Sequence, residues 1–353
     1  MQVIKILDQI CADAVLITDP YHMRYVSGFR GGEGILYISR GQKILITDSR
    51  YTEAASKESN FTVLEENREH DRYCLLSAAL AQDGAESIGY EDRSLRCSEF
   101  ARLQEKLPQV KIWIPAGDQV ERLRRIKRPE EIACIEQAEH IGDLAFEEIL
   151  NLLRPGMTEL EAAAELEYRM KKHGASGLSF DTIMASGMNS SMPHAIPGNK
   201  KLEAGDFITM DFGCIYEGYC SDMTRTVVLG KADEKQKEIY RIVLEAQTAA
   251  LEAIRPGLTG REVDAVARNI IAKAGYGACF GHSLGHSVGL QIHEEPRLSP
   301  SGKDLLEPGM IETIEPGIYV PGFGGVRIED LVVITEDGCR NLTKSPKELI
   351  ELD

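Results

Sequence analysis

Two aspartates near the middle of the chain have the spacing of a paired-carboxylate site. Asp211 lies in the strand-like segment 206–213, and Asp222 lies in the strand-like segment 219–228, with a tight turn expected near Tyr216-Glu217-Gly218. A hairpin centred on that turn would place Asp211 directly opposite Asp222, with β-carbons about 5 Å apart. Carboxylates so placed repel each other, which predicts a cation between them. The alternative is an exposed hairpin that carries two incidental acids.

Three of the eight histidines fall within twelve residues, at His282, His286 and His293. Two glutamates follow inside apolar, strand-like runs, Glu315 and Glu329. Burying those carboxylates among Ile, Val and Pro costs several kcal/mol per ion unless a cation or an arginine compensates. Two Asp, one His and two Glu suit a pair of Mn, Co, Fe or Zn ions, whereas structural zinc prefers Cys and His.

Two overlapping Gly-x-Ser-x-Gly motifs, at 281–285 and 285–289, suggest a different chemistry. A serine hydrolase of that type needs an acid and then a histidine after the serine in chain order. The last histidine is His293, and no Asp or Glu lies between either serine and it. The sequence therefore excludes a serine triad. Close packing of the strand that carries His286 explains the small residues better.

A duplication in the second part of the chain predicts how these residues are positioned. The segment 154–161 returns as 255–262, an offset of 255 − 154 = 101 residues. Each copy ends in a capping box, in which a Thr hydroxyl and a Glu carboxylate satisfy orphan amides at a helix start: Thr158 with Glu161, and Thr259 with Glu262. Each helix should run about 15 residues and end at a glycine, Gly174 or Gly275. The simplest arrangement is two similar αβ halves about a pseudo-twofold axis, with a site between them.

The N-terminal stretch predicts a separate α/β unit. Segments 14–18 and 43–47 are short apolar runs with β-branched residues, bounded by Asp, Pro or Gly, and are typical of buried strands. The basic-then-acidic segment 122–131 contains Pro129 followed by two Glu, which predicts a helix start. The domain boundary placed there defines an N-terminal domain, residues 1–122, and a catalytic domain, residues 123–353.

Composition limits the classes of protein. The 353 residues are 43% hydrophobic and 27% charged, which excludes a disordered, collagen-like or low-complexity chain. Lys and Arg number 40 against 56 Asp and Glu, and the net charge of −16 disfavours nucleic acid and membrane surfaces as partners. No apolar run approaches the roughly 20 residues of a membrane span, and the N-terminus is unlike a signal peptide. The eight scattered cysteines are expected to be reduced and mostly buried, as in a cytoplasmic protein.

Taken in order, the chemical residues resemble those of the pita-bread metallopeptidases, the family of methionine aminopeptidases, prolidases and aminopeptidase P. The resemblance rests on the order of these residues along the chain: Asp211, Asp222 eleven residues later, His286, His293 seven residues later, Glu315-Pro316-Gly317, and Arg327-x-Glu329-Asp330. The N-terminal part, with Gly28-Phe29 and the segment 47–52, resembles the creatinase-type domain of prolidase and aminopeptidase P, which methionine aminopeptidases lack. The resemblance implies an α+β chain: a smaller α/β domain precedes a pita-bread catalytic domain of two pseudo-symmetric αβ halves.

The resemblance also implies a site for two divalent metal ions. By position, Asp211 would chelate one ion, and His286 and Glu315 would bind the other. Asp222 and Glu329 would bridge the two. Manganese is the first expectation, and cobalt, zinc or iron would also fit carboxylate and imidazole ligands. Such ions lie about 3.5–4 Å apart and lower the pKa of a shared water, whose proton Glu315 would take.

Further residues match positions on the substrate's side of the family site. His194 and His293 would donate hydrogen bonds to the developing oxyanion or the leaving nitrogen, and His282 would shape a proline pocket. Arg327 is counted among the residues on the substrate's side of the site, but it is expected to orient the carboxylate of a metal ligand rather than to contact the substrate. Arg297 resembles an arginine that receives the free carboxylate of a dipeptide's proline in prolidases, a group that a guanidinium fork fits well. An exposed loop arginine is the open alternative for Arg297.

These assignments predict a cytoplasmic, metal-dependent exopeptidase that hydrolyses Xaa-Pro peptide bonds, either an Xaa-Pro dipeptidase or an aminopeptidase P. Proline-containing peptides would be its substrates, neither nucleic acid nor a membrane is expected as a partner, and the resemblance implies a homodimer. Two alternatives remain open: a metal-free, creatinase-like amidinohydrolase, and a non-enzymatic binding protein of the same fold. Retention of all five ligands argues against both, because without metal they would form a costly cluster of like charge.

Overall fold

The structure, a computed structural model, describes residues 2–353. The chain divides into two units between Arg124 and Arg125. Each unit buries hydrophobic clusters made only of its own residues. By that criterion each unit has the physical character of a domain.

A six-stranded mixed sheet forms the N-terminal unit. Its strands are β1 (Ala14–Ile17), β2 (Ile35–Ser39), β3 (Lys43–Asp48), β4 (Thr62–Glu66), β5 (Ser87–Tyr90) and β6 (Ile112–Pro115). They lie in the order β4-β3-β2-β1-β5-β6, in which β2 runs antiparallel to both of its neighbours. The strands predicted at 14–18 and 43–47 are confirmed as β1 and β3.

Helices cover both faces of this sheet. They are α1 (Gln2–Ile10), α2 (Pro20–Ser27), α3 (Thr52–Glu58), α4 (Arg72–Asp83), α5 (Cys97–Lys106) and α6 (Gly117–Arg122). In β1, Val15 and Ile17 join the core shared with α1, α2, α3 and α6, whereas Ala14 and Leu16 join the core shared with α4 and α5. This alternation follows from the two-residue period of a strand, which is why the segment is apolar throughout.

The second unit contains four α-helices and small sheets that are antiparallel except where β20 runs parallel to β12. The helices are α7 (Pro129–Leu150), α8 (Glu159–Lys172), α9 (Glu234–Ala253) and α10 (Gly260–Lys273). Its strands are β7 (Gly177–Leu178), β8 (Ile183–Ser186), β9 (Phe207–Phe212), β10 (Cys214–Tyr216), β11 (Tyr219–Cys220), β12 (Met223–Leu229), β13 (Gly285–Ser287), β14 (Glu294–Leu298), β15 (Ile311–Ile314), β16 (Gly317–Val320), β17 (Gly324–Arg327), β18 (Asp330–Ile334), β19 (Cys339–Asn341) and β20 (Glu351–Leu352). The two largest sheets have the orders β20-β12-β9-β8 and β14-β13-β15-β18-β19.

The predicted duplication is confirmed in the second unit. Helices α7 and α8 share a core with β8, β9 and β12, and helices α9 and α10 share a core with β15, β16 and β18. Both capping boxes form as predicted, and α8 and α10 each have 14 residues. Gly174 and Gly275 follow these helices with φ of 108° and 92°, a conformation that favours glycine. Helix α7 begins at Pro129, also as predicted.

The predicted register of the central hairpin is wrong. Strands β9 and β12 pair Asp211 with Thr224, and β10 and β11 pair Tyr216 with Tyr219. The turn is therefore centred between Glu217 and Gly218, one residue further along than expected. Both turn residues have positive φ, 46° and 79°, as a two-residue hairpin turn that matches strand twist requires. Asp222 consequently lies diagonally from Asp211, in the gap before β12, rather than directly opposite it.

The structure bears on two expectations about the whole chain, the state of its cysteines and the absence of a membrane span. All eight cysteines are free, but only Cys214 and Cys220 are buried, so the expectation that most would be buried is wrong. Within residues 2–353, none of the helices combines the length and the apolar character that a membrane crossing needs.

Candidate metal centre

Five acidic and imidazole side chains of the second unit approach one another at strand ends. Asp211 is near the end of β9, Asp222 directly precedes β12, His286 is the middle residue of β13, Glu315 directly follows β15, and Glu329 lies between β17 and β18. Strand ends allow this because the chain can turn there, while the strands themselves hold the side chains in place. Both αβ halves contribute, as the duplication predicted.

The closest grouping is formed by Asp222, His286 and Glu329. One candidate ligand atom of each lies within 4.8 Å of those of the other two, and all three residues are buried. The Nε2 atom of His286 is 3.4 Å from Oδ2 of Asp222 and 3.5 Å from Oε1 of Glu315. Glu315 therefore adjoins the same group, although its carboxylate lies slightly farther out.

The charges of this group show why a cation fits. Burial and the neighbouring charge of Asp211 raise the pKa of Asp222 well above its ordinary value. Burial raises the pKa of Glu315 to about 7, although His286 counteracts part of the rise. Burial, then the charges of Asp222 and Glu315, raise the pKa of Glu329 well above its ordinary value. Carboxylates crowded in this way stay ionised together only when positive charge lies between them.

Unpartnered oxygen atoms give an independent test of the fit. Oδ1 of Asp211 and Oε1 of Glu329 are buried and have no hydrogen-bond partner. The other oxygen of each residue is occupied: Oδ2 of Asp211 accepts from Arg327, and Oε2 of Glu329 accepts from Thr224. Each carboxylate thus keeps one oxygen for a further ligand. Oxygen and imidazole donors of this kind suit Mn, Co, Fe or Zn ions.

The imidazole of His286 is oriented for metal binding. Its Nδ1 lies 3.1 Å from the carbonyl oxygen of Ser287. A carbonyl oxygen can only accept, so Nδ1 carries the proton and Nε2 keeps a free lone pair that faces Asp222 and Glu315. The backbone N–H of His286 donates to Thr313 Oγ1 at 3.1 Å, and the Thr313 hydroxyl donates to Oε1 of Glu315 at 3.2 Å.

Several residues that the sequence analysis missed hold the candidate ligands in place. The hydroxyl of Thr224 donates to Glu329 at 2.6 Å, and the Thr224 carbonyl accepts from the Glu329 backbone at 3.1 Å. Oε2 of Glu139 accepts from the backbone N–H of Asp222 at 3.3 Å, while its Oε1 accepts from Thr343 at 2.6 Å. A signal existed for Glu139, since it is an acid that follows Ala138 and precedes Ile141 on the buried face of α7.

Arg327 is buried and connects two parts of the site. Its Nη2 donates to Oδ2 of Asp211 at 2.5 Å, its Nε donates to the Thr224 hydroxyl at 3.0 Å, and its Nη1 donates to the Tyr319 hydroxyl at 2.7 Å. Three fixed donors leave this guanidinium little freedom to move. Its position therefore sets the orientation of the Asp211 carboxylate.

His282 belongs to the same hydrogen-bonded chain. Its Nδ1 donates to the carbonyl oxygen of Ser283 at 2.8 Å, and its Nε2 accepts from the Tyr319 hydroxyl at 2.9 Å. Burial, and then the positive charge of Arg327, lower the pKa of His282 to about 4. The neutral ring packs edge-on against Phe280, with 5.0 Å between ring centroids. With both nitrogens occupied, His282 presents a flat wall rather than a free donor.

The two other predicted histidines differ in how they are held. The ring of His293 packs edge-on against the ring of His286, with 4.5 Å between centroids. His194 is exposed, and the carbonyl oxygen of its neighbour Pro193 accepts from Arg327 Nη1 at 3.5 Å. After burial and the charge of Arg327, the charge of His194 also lowers the pKa of His282, so the two histidines share one region.

Arg297 stands beside the candidate ligands. It is the direct cross-strand partner of His286 in the β13–β14 pair, so both side chains leave the sheet on the same face. Its Nε lies 3.9 Å from Oε1 of Glu295, and its side chain is 37% exposed. A guanidinium so weakly engaged is available to a second carboxylate.

Comparisons with known proteins match the chain to two families and to solved structures of the same fold. The family described as metallopeptidase family M24 matches residues 133–336, and the creatinase/prolidase N-terminal domain matches residues 2–126. An Xaa-Pro dipeptidase of Pyrococcus horikoshii is 42% identical over 99% of this chain and 97% of its own length. Two solved structures are similar in fold. An Xaa-Pro dipeptidase from Bacillus anthracis has a TM-score of 0.96 and 44% identity, and covers 99% of this chain and 98% of that one. An X-Pro aminopeptidase from Thermotoga maritima has a TM-score of 0.92 and 41% identity, with 98% and 99% covered. These matches confirm the predicted fold class.

Proposed function

This chain belongs to metallopeptidase family M24, and on that premise we propose that it is a metal-dependent exopeptidase that hydrolyses Xaa-Pro peptide bonds. The observation that carries the proposal is the grouping of Asp222, His286 and Glu329 within 4.8 Å, in a set that keeps buried carboxylate oxygens unpartnered. The substrate class is supported by relatives named Xaa-Pro dipeptidase and X-Pro aminopeptidase.

We propose that two divalent ions, manganese first among them, are held by the five predicted ligands: Asp211, Asp222, His286, Glu315 and Glu329. When bound, such ions supply Lewis acidity, which lowers the pKa of a water molecule and polarises the scissile carbonyl. The chain's own part is to fix the ligand geometry. Thr224 and Arg327 do this for the carboxylates, and the Ser287 carbonyl does it for His286.

Glu315 takes the proton of the attacking water in this proposal. Its Oε1 lies 3.5 Å from His286 Nε2 and accepts from the Thr313 hydroxyl, so the carboxylate stays beside the place where water is activated. A base so placed can hold the proton and pass it to the nitrogen of the departing proline. His293 and His194 donate hydrogen bonds to the oxyanion or to that nitrogen as the bond breaks.

The proline ring is proposed to lie against His282. The imidazole is kept neutral and immobile by the Ser283 carbonyl and the Tyr319 hydroxyl, and therefore offers an apolar face. A flat, rigid surface fits the saturated five-membered ring of proline better than it would fit the flexible side chain of another residue. Selection of proline would then come from shape and not from a polar contact.

Arg297 is proposed to bind the free carboxylate of a dipeptide, which makes Xaa-Pro dipeptidase the favoured activity. Its guanidinium is on the same face as His286 and is only weakly paired with Glu295. The second candidate is an aminopeptidase P activity on longer peptides, favoured by the 41% identity to the Thermotoga maritima enzyme. We propose a cytoplasmic homodimer in either case.

Hydrolysis of Ala-Pro beside Ala-Pro-Ala tests the proposal. The protein is stripped of metal with a chelator, and Mn, Co, Zn or Fe(II) is then added back singly. Cleavage of the dipeptide alone, restored by metal, supports the dipeptidase, whereas cleavage chiefly of the tripeptide supports the aminopeptidase. No metal-dependent cleavage of either peptide would overturn the proposal in favour of the amidinohydrolase or binding-protein alternatives.

A further inference from the structure

The loop that carries His194 has a buried carboxylate between its two ends. This loop, residues 187–198 and called here the His194 loop, follows β8 and begins with the 3₁₀ turn Gly187–Ser191. We propose that Glu159, the first residue of α8, is a positioning residue that closes the His194 loop and thereby places His194 at the metal centre. The catalytic part of this inference rests on the proposed function.

The hydrogen bonds that the Glu159 carboxylate accepts all come from the His194 loop or from Ser186, the residue that enters it. Its Oε1 accepts from the backbone N–H of Ser186 at 2.7 Å and from the Ser186 hydroxyl at 2.8 Å. The side-chain amide of Asn189 donates to both carboxylate oxygens, at 3.1 and 3.2 Å. Oε2 accepts from the backbone N–H of Gly198 at 3.3 Å. One carboxylate therefore connects the entry, the first turn and the exit of the loop.

The backbone of the α8 helix start reinforces this closure. The N–H of Glu159 donates to the carbonyl of Lys200 at 3.0 Å, and the N–H of Leu160 donates to the carbonyl of Gly198 at 3.0 Å. These amides belong to the first turn of α8, which has no intrahelical partners for them. The ammonium of Lys200 also donates to the Ser186 hydroxyl at 2.9 Å, which links the exit directly to the entry.

The free-energy cost of burying the Glu159 carboxylate indicates that its hydrogen bonds have a structural role. The residue is 1% exposed, yet it is balanced by neutral hydrogen-bond donors and by the positive end of α8. A buried carboxylate is expensive, and it is tolerated when several donors converge on it. Removing its charge should therefore release the loop ends rather than disturb a distant ion pair.

The middle of the His194 loop lies against a strand of the candidate site. The hydroxyl of Ser190 accepts from the backbone N–H of Gly325 at 2.8 Å, and the carbonyl of Pro193 accepts from Arg327. His194 follows Pro193 directly and is itself exposed. Nothing that the structure describes hydrogen-bonds the His194 ring, so the loop backbone sets its position.

The second αβ half shows that the helix start does not need this carboxylate. At the matching position of the repeat, α10 begins with Gly260, and a β-carbon added there would lie 2.1 Å from the carbonyl oxygen of Arg297. That half closes by direct backbone contact. In both halves the helix is capped by the glutamate of the capping box, which is Glu161 in α8 and Glu262 in α10. Glu159 is therefore specific to the first half, where an open loop must be closed.

Hydrogen–deuterium exchange of the full-length protein tests the closure without measuring activity. Glu159→Gln should raise the exchange rate of amides in residues 186–198 by about tenfold or more, because a neutral amide cannot accept from both loop ends. The matched control is Glu161→Gln, which removes the capping carboxylate of the same helix turn and should leave those amides unchanged. Unchanged exchange in Glu159→Gln, or an equal rise in Glu161→Gln, would overturn the proposal. If Glu159→Gln does not fold, Ser186→Ala removes one donor from the same contact and should show a smaller rise in the same amides.

A double-mutant cycle tests whether Glu159 acts through His194. Glu159→Gln should lower kcat/KM for Ala-Pro about tenfold with little change in KM, since small misplacements of a catalytic group are costly. In the His194→Ala background the same change should cost less than about twofold, because the group being positioned is gone. A merely structural defect would cost the same in both backgrounds, and that result would refute positioning. If the unaltered protein cleaves no Xaa-Pro peptide, the proposed function fails, while the exchange experiment still decides whether Glu159 closes the loop.

Discussion

At the scale of single residues, the candidate site groups two buried acids, Asp222 and Glu329, with two partly exposed ones, Asp211 and Glu315. Such a group stays ionised only when positive charge lies close to it. Burial raises the pKa values of Asp222, Glu315 and Glu329, and the charge of Asp211 raises the pKa of each of them further. Within the described residues, Arg327 is the cation that donates directly to this set, through Asp211. One guanidinium does not balance four carboxylates, which is why bound divalent ions are the physical expectation.

Asp222→Asn should abolish metal binding while leaving the fold largely intact. The side chain is buried beside His286 and loses its charge but not its volume, so packing is retained while a ligand is lost. We expect manganese affinity and kcat/KM to fall more than about 100-fold. Isothermal titration with Mn²⁺, peptide hydrolysis and circular dichroism measure the three quantities. Near-normal turnover with an unchanged spectrum would refute the ligand assignment.

Arg297→Ala should separate dipeptide from tripeptide cleavage. A charge-assisted hydrogen bond to a carboxylate contributes about 1.5–3 kcal/mol, so KM for Ala-Pro should rise about 10–100-fold. For Ala-Pro-Ala, whose proline has no free carboxylate, KM should change less than about threefold. Steady-state kinetics of both peptides provides the comparison, with Arg297→Lys expected between the two. Equal effects on both peptides would remove Arg297 from substrate recognition.

At the scale of elements, strands position the ligands through tight backbone contacts. Gly285 begins β13, the strand of His286, and pairs with Leu298 of β14. A β-carbon added at Gly285 would lie 1.9 Å from the carbonyl oxygen of Thr313. The glycine thus lets β13 approach β15 closely enough for His286 and Glu315 to share a site. This packing explains Gly285, the glycine that the two Gly-x-Ser-x-Gly motifs share, but not Gly281, where an added β-carbon would meet no atom within 4 Å.

Gly285→Ala should therefore damage both stability and activity. Overpacking of this kind costs about 1–3 kcal/mol, and displacement of β13 would move His286 away from Asp222. Gly281→Ala is the control, because a β-carbon there meets no atom within 4 Å and should change stability by less than about 0.5 kcal/mol. Urea unfolding and manganese titration of both variants give the comparison. Similar results for the two glycines would contradict the packing argument.

Asp13 connects two strands of the N-terminal unit and should make its stability depend on pH. Its carboxylate precedes β1 and accepts from the Ser87 hydroxyl and from the N–H groups of Glu86 and Ser87 at the start of β5. These hydrogen bonds, that of the hydroxyl first, hold the pKa of Asp13 below its ordinary value. Because the pKa of Asp13 is lower in the folded state than in the unfolded state, its carboxylate stabilises the fold at pH values above the unfolded-state pKa of about 3.9. This stabilisation is lost as pH falls through the folded-state pKa.

Asp13→Asn should accordingly unfold at a lower temperature than the unaltered protein at pH 7. The gap between the two melting temperatures should begin to narrow as pH falls below about 4 and should close below the lowered folded-state pKa, because the aspartate is then protonated and neutral in both states. Thermal unfolding followed by circular dichroism between pH 2.5 and 7 measures it. A gap that stays constant over this range would show that charge has no part in the contact.

At the scale of the whole molecule, the two αβ halves contribute candidate ligands to one candidate centre. Asp211 and Asp222 come from the first half, and His286, Glu315 and Glu329 come from the second. A metal ion bound by these residues would join parts of the chain that are more than 100 residues apart. Such binding stabilises the folded state by mass action, since the unfolded chain has no assembled site.

Removing metal should lower the thermal stability of the second unit. At a free ion concentration 100 times the dissociation constant, binding contributes about 2.7 kcal/mol, which corresponds to a rise in Tm of about 5–10 °C for a unit of this size. Calorimetry with and without Mn²⁺ measures the shift. Asp222→Asn should show less than a quarter of it, and an equal shift in that variant would mean that the ion binds elsewhere.

Local features of the fold could be predicted from the sequence because neighbouring residues determine them. The capping boxes of α8 and α10 need only a Thr, a Glu three residues later and an apolar helix behind them. The start of α7 at Pro129 and the buried strands β1 and β3 follow from equally short patterns. The types and order of the candidate ligands could be recognised from their resemblance to a known family, although their distances could not.

What only the tertiary structure decided is which groups meet across long separations. The hairpin register depended on whether Glu217 adopts a positive φ. The difference in free energy that decides this is small and local, and side-chain patterns do not reveal it. Distant strands and helices must pack together before Thr224 and Glu139 can hydrogen-bond the candidate ligands and before Tyr319 can bond Arg327 and His282. The closure of the His194 loop by Glu159 depends on the same packing. Burial and hydrogen bonding act through distance in space. The sequence therefore determined which chemistry is present, and folding determined where each group acts.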